Sequence, residues 1–208
     1  DRARVLEIGC GIGLNLLPLA ERFPEAEFVG IDSSELHIDL AVRAQTASGL
    51  QNVRFISGDI AEFTPEAGQF DYVIAHGFYS WTAPAVADRL LTVCAQALAP
   101  EGVAYVSYNT YPGWGLIEGL RRIVLPELDR EPTPSARVTR AEHLLATLTR
   151  AFAQEAGPHA AAMRQLLAEL QQAPMALTLH DALDAGTSAT TFRDFVDHAL
   201  RHGLHFLS

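Results

Sequence analysis

The sequence predicts an α/β fold in which a parallel sheet is sandwiched by helices, with an all-helical insertion between a fifth and a sixth strand. Three observations lead to this prediction. Short β-rich apolar runs alternate with segments of helical periodicity, the first run is followed by a glycine-rich turn, and the rhythm is interrupted by a long block without strands. At 208 residues the chain is long enough for one well-buried core with an appended subdomain.

The first half of the chain alternates strands and helices. Apolar residues recur at helical spacing from Leu14 to Phe23, a serine cap (Ser33 or Ser34) and Gly49 bound the next helix, and Pro84–Leu98 is a third helix. The predicted strands are Arg4–Gly9, Glu27–Ile31, Val53–Ser57, Asp71–Ala75 and Val103–Tyr108. Such alternation is typical of a parallel sheet with both faces covered.

The second half loses this rhythm and then returns to it. The predicted helices are Gly115–Leu128, Thr139–Ala156 and His159–Gln172, separated by a linker (DREPTPS), a GP pair and Pro174. A helical face at 192–200 and a sixth strand at Leu204–Leu207 follow. We therefore expect a sheet domain at 1–114, an insertion at 115–189 and a return to the sheet at 190–208, with a helix and an edge strand missing at the ends.

Composition excludes several classes of protein. A formal net charge of −10 disfavours a nucleic-acid-binding surface, so no nucleic-acid partner is expected. The chain has no apolar run long enough for a membrane span and no signal peptide, so a cytoplasmic protein is expected. The two cysteines, Cys10 and Cys94, lack the spacing of metal ligands and are expected to be reduced thiols.

The turn after the first strand reads Glu7-x-Gly9-x-Gly11-x-Gly13. A dinucleotide-binding fingerprint would place its third glycine at position 14, where this chain has Leu14. Bare glycines allow a ligand to lie against the main chain without Cβ clashes.

Two acidic residues follow later strands. Asp32 closes the second strand, where a carboxylate could accept both hydroxyl protons of a ribose, and Asp59 follows the third strand. For each aspartate, a turn or helix-capping role is an equally good interpretation.

In this order, the glycine motif and the two acids resemble class I S-adenosylmethionine-dependent methyltransferases, over Arg4 to about Ser107. The resemblance implies a Rossmann-like fold and S-adenosyl-L-methionine as cofactor, with Asp32 on the ribose, Asp59 at the adenine amino group and Ile60 beside the adenine ring. The cofactor-binding residues implied or predicted are Glu7, Gly9, Cys10, Gly11, Gly13, Asp32, Ser33, Asp59, Ile60, Ala75 and His76.

Aromatic segments follow the fourth and fifth strands, at the edge of a parallel sheet where ligands bind. Aromatic faces can hold a cationic group by cation–π contact without acting as nucleophiles. Candidate catalytic residues are His76, Tyr79, Tyr108 and Asn109. His76 could accept a proton from the nucleophile, and a hydrogen bond to the backbone is an equally good interpretation. Phe78, Trp81, Tyr111 and Trp114 are candidates for the substrate pocket, and a role as core or lid anchors is the alternative for Phe78, Trp81 and Trp114.

The segments HGFYSW, YVSYNTYPGW and FRDFVDHALRHGLHFL resemble bacterial methyltransferases that carry a methyltransferase regulatory domain, among them rickettsial protein-lysine methyltransferases. This resemblance implies methylation of lysine side chains in a protein substrate. A small-molecule methyltransferase with the helical insertion as a lid, and a non-catalytic cofactor sensor or scaffold, are the alternatives. The insertion is expected to cover the site or to dock a protein, or else to pack and form a homodimer.

No metal site is predicted. His198 and His202 lie four residues apart on a helix, but no third ligand is evident in the sequence. Arg121 and Arg122 are expected on a solvated helix face.

Overall fold

The computed structural model describes residues 2–65 and 67–207, which divide into two compact units. The first unit comprises residues 1–109 and 190–208, and the second comprises residues 110–189. Asp1, Glu66 and Ser208 lie outside the described residues.

The first unit contains a parallel five-stranded sheet in the order β3-β2-β1-β4-β5. Its strands are β1 (Arg4–Ile8), β2 (Glu27–Asp32), β3 (Val53–Ser57), β4 (Phe70–Ala75) and β5 (Leu98–Val106). Strand order reverses between β1 and β4, because β2 and β3 extend the sheet to one side of β1 and β4 and β5 to the other. Ligands bind at the carboxyl edge of such a reversal.

Helices cover both faces of this sheet. The helices of the first unit are α1 (Leu16–Arg22), α2 (Glu35–Ser48), α3 (Pro84–Ala97) and α8 (Phe192–Arg201), with a 3₁₀ turn at Tyr79–Trp81. Alternate residues of the strands point to opposite faces. One set, including Leu6 and Val73, packs against α3, and the other, including Val5 and Phe28, packs against α1 and α2.

The boundaries of α2 follow from local chemistry. The Ser34 hydroxyl accepts a hydrogen bond from the His37 amide at 3.3 Å, and Gly49 ends the helix in the left-handed conformation. Of the two predicted serines, Ser34 is therefore the cap.

The second unit contains helices joined by loops, and no strand among its described residues. Its helices are α4 (Gly115–Leu128), α5 (Pro134–Ala153), α6 (Pro158–Leu170) and α7 (Met175–Asp181). The prediction of a linker through residue 135 was wrong in part, because the Thr133 hydroxyl caps α5 and Pro134 fits its first turn. The short helix α7 was not predicted, since Pro174 was interpreted only as a separator.

The predicted sixth strand is absent, because Leu204–Leu207 form no strand in the part of the chain described. The Leu204 amide donates to the Ala199 carbonyl at 3.1 Å, which completes the end of α8, and the Leu204 side chain packs into the core. The other backbone groups of the segment do not form a ladder with β5.

Arg121 is also placed differently from the prediction of a solvated face. Its side chain is 5% exposed, whereas that of Arg122 is 79% exposed. The Arg121 guanidinium donates hydrogen bonds of 2.7–2.9 Å to the carbonyls of Ala182, Asp184 and Thr187. It thus holds the segment after α7 against α4.

Candidate active site

The turn after β1 is built from glycines in a conformation that other residues rarely adopt. Gly9, Gly11 and Gly13 have φ values of 72°, 53° and 80°. The Gly9 and Cys10 amides donate to the Ile31 carbonyl at 2.8 and 3.1 Å, which fixes the turn to the end of β2.

The three glycines differ in what surrounds them. A Cβ at Gly9 would lie 2.5 Å from the Phe78 ring, and a Cβ at Gly13 would lie 2.7 Å from the Phe55 ring. At Gly11 nothing lies within 4 Å of the same position. Packing within the protein therefore requires glycine at 9 and 13, whereas the surface over Gly11 is open to a ligand.

Asp32 connects this turn to the start of α2. Its Oδ2 accepts from the Gly11 amide and its Oδ1 from the Ser34 amide, both at 2.9 Å. His37 Nδ1 also lies 3.5 Å from Oδ1. Since a carboxylate has about four acceptor positions, Asp32 keeps acceptor capacity, chiefly on Oδ2. Ser33, which lies between Asp32 and Ser34 in sequence, is exposed.

Glu7 is a buried carboxyl, 4% exposed, at the carboxyl end of β1. Its Oε1 accepts from the Asn15 amide group at 2.9 Å, whereas its Oε2 is buried without a hydrogen-bond partner among the described residues. Burial raises the Glu7 pKa from 4.5 to about 7, and the Asn15 hydrogen bond opposes the shift. An unpartnered buried oxygen of this kind suits a cationic or hydrogen-bond-donating ligand group.

The Cys10 thiol beside this turn is unreactive. Cys10 is buried, and burial together with the negative charges of Asp32 and Glu7 raises its pKa to about 12. The thiol stays protonated and packs near Gly30, where an added Cβ would lie 2.7 Å from Sγ.

The loop after β3 carries Asp59 and Ile60. Asp59 is exposed, and its Oδ1 accepts from the Ala61 amide at 2.8 Å, which is the turn-forming role. Ile60 is 5% exposed and packs in the core with α3. Arg89, which sequence reasoning did not single out, donates to the carbonyls of Ile60 and Phe63 and holds this loop to α3.

The structure brings some of the predicted aromatic residues together. The Tyr79 ring lies 6.0 Å from the Tyr108 ring, between centroids, and Phe195 of α8 contacts both, at 5.1 and 4.0 Å. The Tyr79 hydroxyl lies 2.7 Å from His198 Nδ1. Phe195 and His198 were not predicted as site residues, because their place beside Tyr79 depends on a contact more than 100 residues away in sequence.

Both tyrosines are neutral phenols at physiological pH. Burial raises the pKa of Tyr79, with Arg201 opposing the shift, and burial also raises the pKa of Tyr108. As neutral phenols they can orient a substrate through hydrogen bonds.

Other candidates lie apart from this aromatic cluster. Ala75 is fully buried at the end of β4, and the exposed His76 after it stacks on Tyr105, with ring centroids 6.3 Å apart. The Asn109 backbone is anchored, since its amide donates to Ser80 Oγ and its carbonyl accepts from the Thr190 amide.

Two tryptophans and a tyrosine complete the predicted set. Trp81 belongs to the 3₁₀ turn after β4, and its buried indole N–H has no hydrogen-bond partner in the part of the chain that the structure describes. Tyr111 and Trp114 belong to the second unit, where Trp114 immediately precedes α4.

No helix in the described part of the chain is both long and apolar enough to cross a bilayer.

Comparison with known proteins agrees with this geometry. Residues 5–102 match the family described as "Methyltransferase domain". Two proteins of Rickettsia prowazekii (strain Madrid E) are similar over nearly the whole chain. RP789 is 32% identical over 208 residues (100% of this chain, 38% of RP789), and RP028 is 30% identical over 199 residues (96% of this chain, 80% of RP028).

Among solved structures, PKMT2 from Rickettsia typhi in complex with AdoHcy matches with a TM-score of 0.88 at 31% identity, covering 100% of this chain and 40% of that one. The chain therefore spans about two fifths of the length of RP789 and PKMT2. The match includes both compact units. This chain belongs to the class I S-adenosylmethionine-dependent methyltransferase family, and it resembles the rickettsial members.

Proposed function

We propose that the protein transfers a methyl group from S-adenosylmethionine to the Nε atom of a lysine in a protein substrate. The observation that carries the proposal is the turn at the carboxyl edge of the sheet, where Gly11 faces open space and Asp32 keeps acceptor capacity on Oδ2. The similarity to PKMT2 and the sequence resemblance to protein-lysine methyltransferases support lysine as the acceptor.

The residues present fit the cofactor. Main chain at Gly11 would lie against its methionine end, and the free acceptor positions of Asp32 would take the ribose hydroxyls. Asp59, whose Oδ1 already accepts from Ala61, would present its other oxygen to the adenine amino group. The unpartnered Oε2 of Glu7 would be stabilised by a nearby ammonium group.

When bound, the sulfonium supplies an activated methyl group to a nucleophile that approaches the methyl carbon opposite the sulfur atom. The protein's contribution to such a displacement is mainly alignment, which is worth about 7–11 kcal/mol in favourable cases. The cluster of Tyr79, Tyr108 and Phe195 provides aromatic faces and an apolar environment for a long aliphatic side chain.

A lysine acceptor must lose a proton before it attacks, because its ordinary pKa is about 10.4. Burial against aromatic rings favours the neutral amine, since desolvation disfavours the charged form. The Tyr108 hydroxyl, held neutral, can donate or accept a hydrogen bond to orient that amine.

The experiment is a methylation assay with the full-length protein, a bacterial lysate and cofactor carrying a deuterated methyl group. Mass spectrometry of the digested proteins and of the small-molecule fraction follows. We expect label on lysine Nε atoms with the wild type and no such label with the Asp32→Asn variant. Label found only in small molecules, or tight cofactor binding without any product, would contradict the proposal.

A further inference from the structure

Two histidines and an aspartate outside the cofactor site converge on one point. His198 and His202 lie on α8, and Asp88 lies on α3. Nε2 of His198 and Nε2 of His202 lie 3.1 and 3.0 Å from the same carboxylate oxygen, Asp88 Oδ1. The three ligand-type atoms all lie within 4.8 Å of one another. The sequence could not show this third group, because it is 110 residues away from His198.

Neighbouring hydroxyl groups orient the two histidine rings. The Thr92 hydroxyl lies 3.1 Å from the Asp88 main-chain carbonyl. The same hydroxyl lies 3.2 Å from His202 Nδ1, so this nitrogen has a partner on Thr92 and Nε2 is the nitrogen that faces Asp88.

His198 is arranged in the same way, since its Nδ1 lies 2.7 Å from the Tyr79 hydroxyl and its Nε2 faces Asp88. Both rings therefore present the Nε2 atom, together with the Asp88 carboxylate, to the space between α8 and α3.

We infer that Asp88, His198 and His202 form a binding site for a divalent transition-metal ion of the zinc type. Two imidazole nitrogens and one carboxylate oxygen are ligands that Zn²⁺ accepts, and a pair of histidines four residues apart on a helix is a common way to present them. Tyr79 and Thr92 occupy the outer positions, since each binds the Nδ1 of one histidine and so orients its ring.

The exposure of the three side chains suits a bound ion. The histidines are 13% and 15% exposed and are held by packing, whereas Asp88 is 57% exposed and can adjust. With bonds of about 2.0–2.1 Å, ligand atoms in a tetrahedral site lie about 3.3 Å apart, so Asp88 would move outward by a few tenths of an ångström. Its exposed side leaves a fourth position for water.

Such an ion would join α8 to α3. It would also fix His198, whose ring contacts Tyr79 in the aromatic cluster. The site therefore connects the segment after residue 190 to the candidate substrate pocket without taking part in methyl transfer.

The test is metal binding by the intact protein after treatment with a chelator. Competition against a chromophoric zinc indicator should give one Zn²⁺ per chain, and Co²⁺ should show the visible absorption bands of a four-coordinate ion. Mg²⁺ should not compete, because it prefers oxygen ligands. Wild-type protein that binds no Zn²⁺ at micromolar concentration would overturn the proposal.

Variants locate the ion. His198→Gln, His202→Gln and Asp88→Asn should each weaken Zn²⁺ binding by about 100-fold or more, and Thr92→Val by about tenfold. His143→Gln, at an exposed position on α5, is the matched control and should bind as the wild type does. Because the Asp88 side chain is exposed, Asp88→Asn is the variant whose folding should be affected least. Wild-type affinity in folded Asp88→Asn would contradict the assignment.

Discussion

At the scale of single residues, the most unusual group is the Glu7 carboxyl, which is buried with one unpartnered oxygen. Its pKa in the folded protein, about 7, lies above the ordinary value of 4.5. Between these values the folded state holds a proton that the unfolded state has released. Stability is therefore lost as the pH rises through this window and stays lower above it.

The Glu7→Gln variant should remove this loss, because the amide stays neutral and can still accept from Asn15. Urea unfolding at pH 8 without cofactor should give a free energy of unfolding up to about 3 kcal/mol higher than that of the wild type. The difference should shrink toward pH 4.5. Glu21→Gln, at an exposed position on α1, is the control and should change little. A wild type and Glu7→Gln variant with the same pH dependence of stability between pH 5 and pH 8 would show that folding does not raise the Glu7 pKa.

Asp32 tests the proposed ribose contact. An asparagine offers one acceptor oxygen in place of two, and charge-assisted hydrogen bonds are worth about 1.5–3 kcal/mol each. Asp32→Asn should therefore weaken S-adenosylmethionine binding by about 10- to 100-fold in calorimetry. Asp39→Asn, on the exposed part of α2, should bind normally. Equal affinities in the two variants would remove Asp32 from the cofactor site.

At the scale of elements, the helical unit depends on one buried cation. Arg121 on α4 donates to three carbonyls of residues 182–187 and lies 3.4 Å from Glu118. Arg121→Met should lower the free energy of unfolding of this unit by about 3–5 kcal/mol, because the buried carbonyls would lose their donors. Arg122→Met, one residue further and exposed, should cost within about 0.5 kcal/mol. Denaturant unfolding of the two variants checks this, and equal stabilities would contradict it.

The elements also show what the sequence could reveal. The five strands and the helix α4 could be predicted because their apolar periodicity is local, and Ser34 and Gly49 mark the ends of α2 through their own backbone chemistry. The prediction of a sixth strand was wrong because a run of four apolar-rich residues does not show whether a neighbouring strand pairs with it. Here the Leu204 amide is satisfied by α8 instead.

The candidate site divides in the same way. The glycine turn and Asp32 are adjacent to strand ends, so their meeting follows from the order of the elements. Phe195 beside Tyr108, and His198 and His202 beside Asp88, are contacts between distant segments that no spacing encodes. Burial of Arg121 next to exposed Arg122 likewise depends on which face of α4 the loop after α7 covers.

At the scale of the whole molecule, family membership and substrate are separate questions. The sheet and its carboxyl-edge turn carry the features shared by the methyltransferase family, whereas a substrate is selected by surfaces that vary between members. RP028, of which the chain covers 80%, shows that both units occur together in a relative of similar length. Protein that contains both units is therefore the proper material for identifying the methyl acceptor.

The central claim is that the open surface over Gly11 receives the cofactor, and one pair of variants tests it most directly. Gly11 and Gly49 have φ values of 53° and 67°, and at neither would an added Cβ meet an atom within 4 Å. Alanine at either position should lower stability by a similar amount, about 1–2 kcal/mol, through backbone strain alone. Calorimetric titration with S-adenosylmethionine should then show affinity lost in Gly11→Ala and retained in Gly49→Ala, whereas equal affinities in both variants would contradict the account.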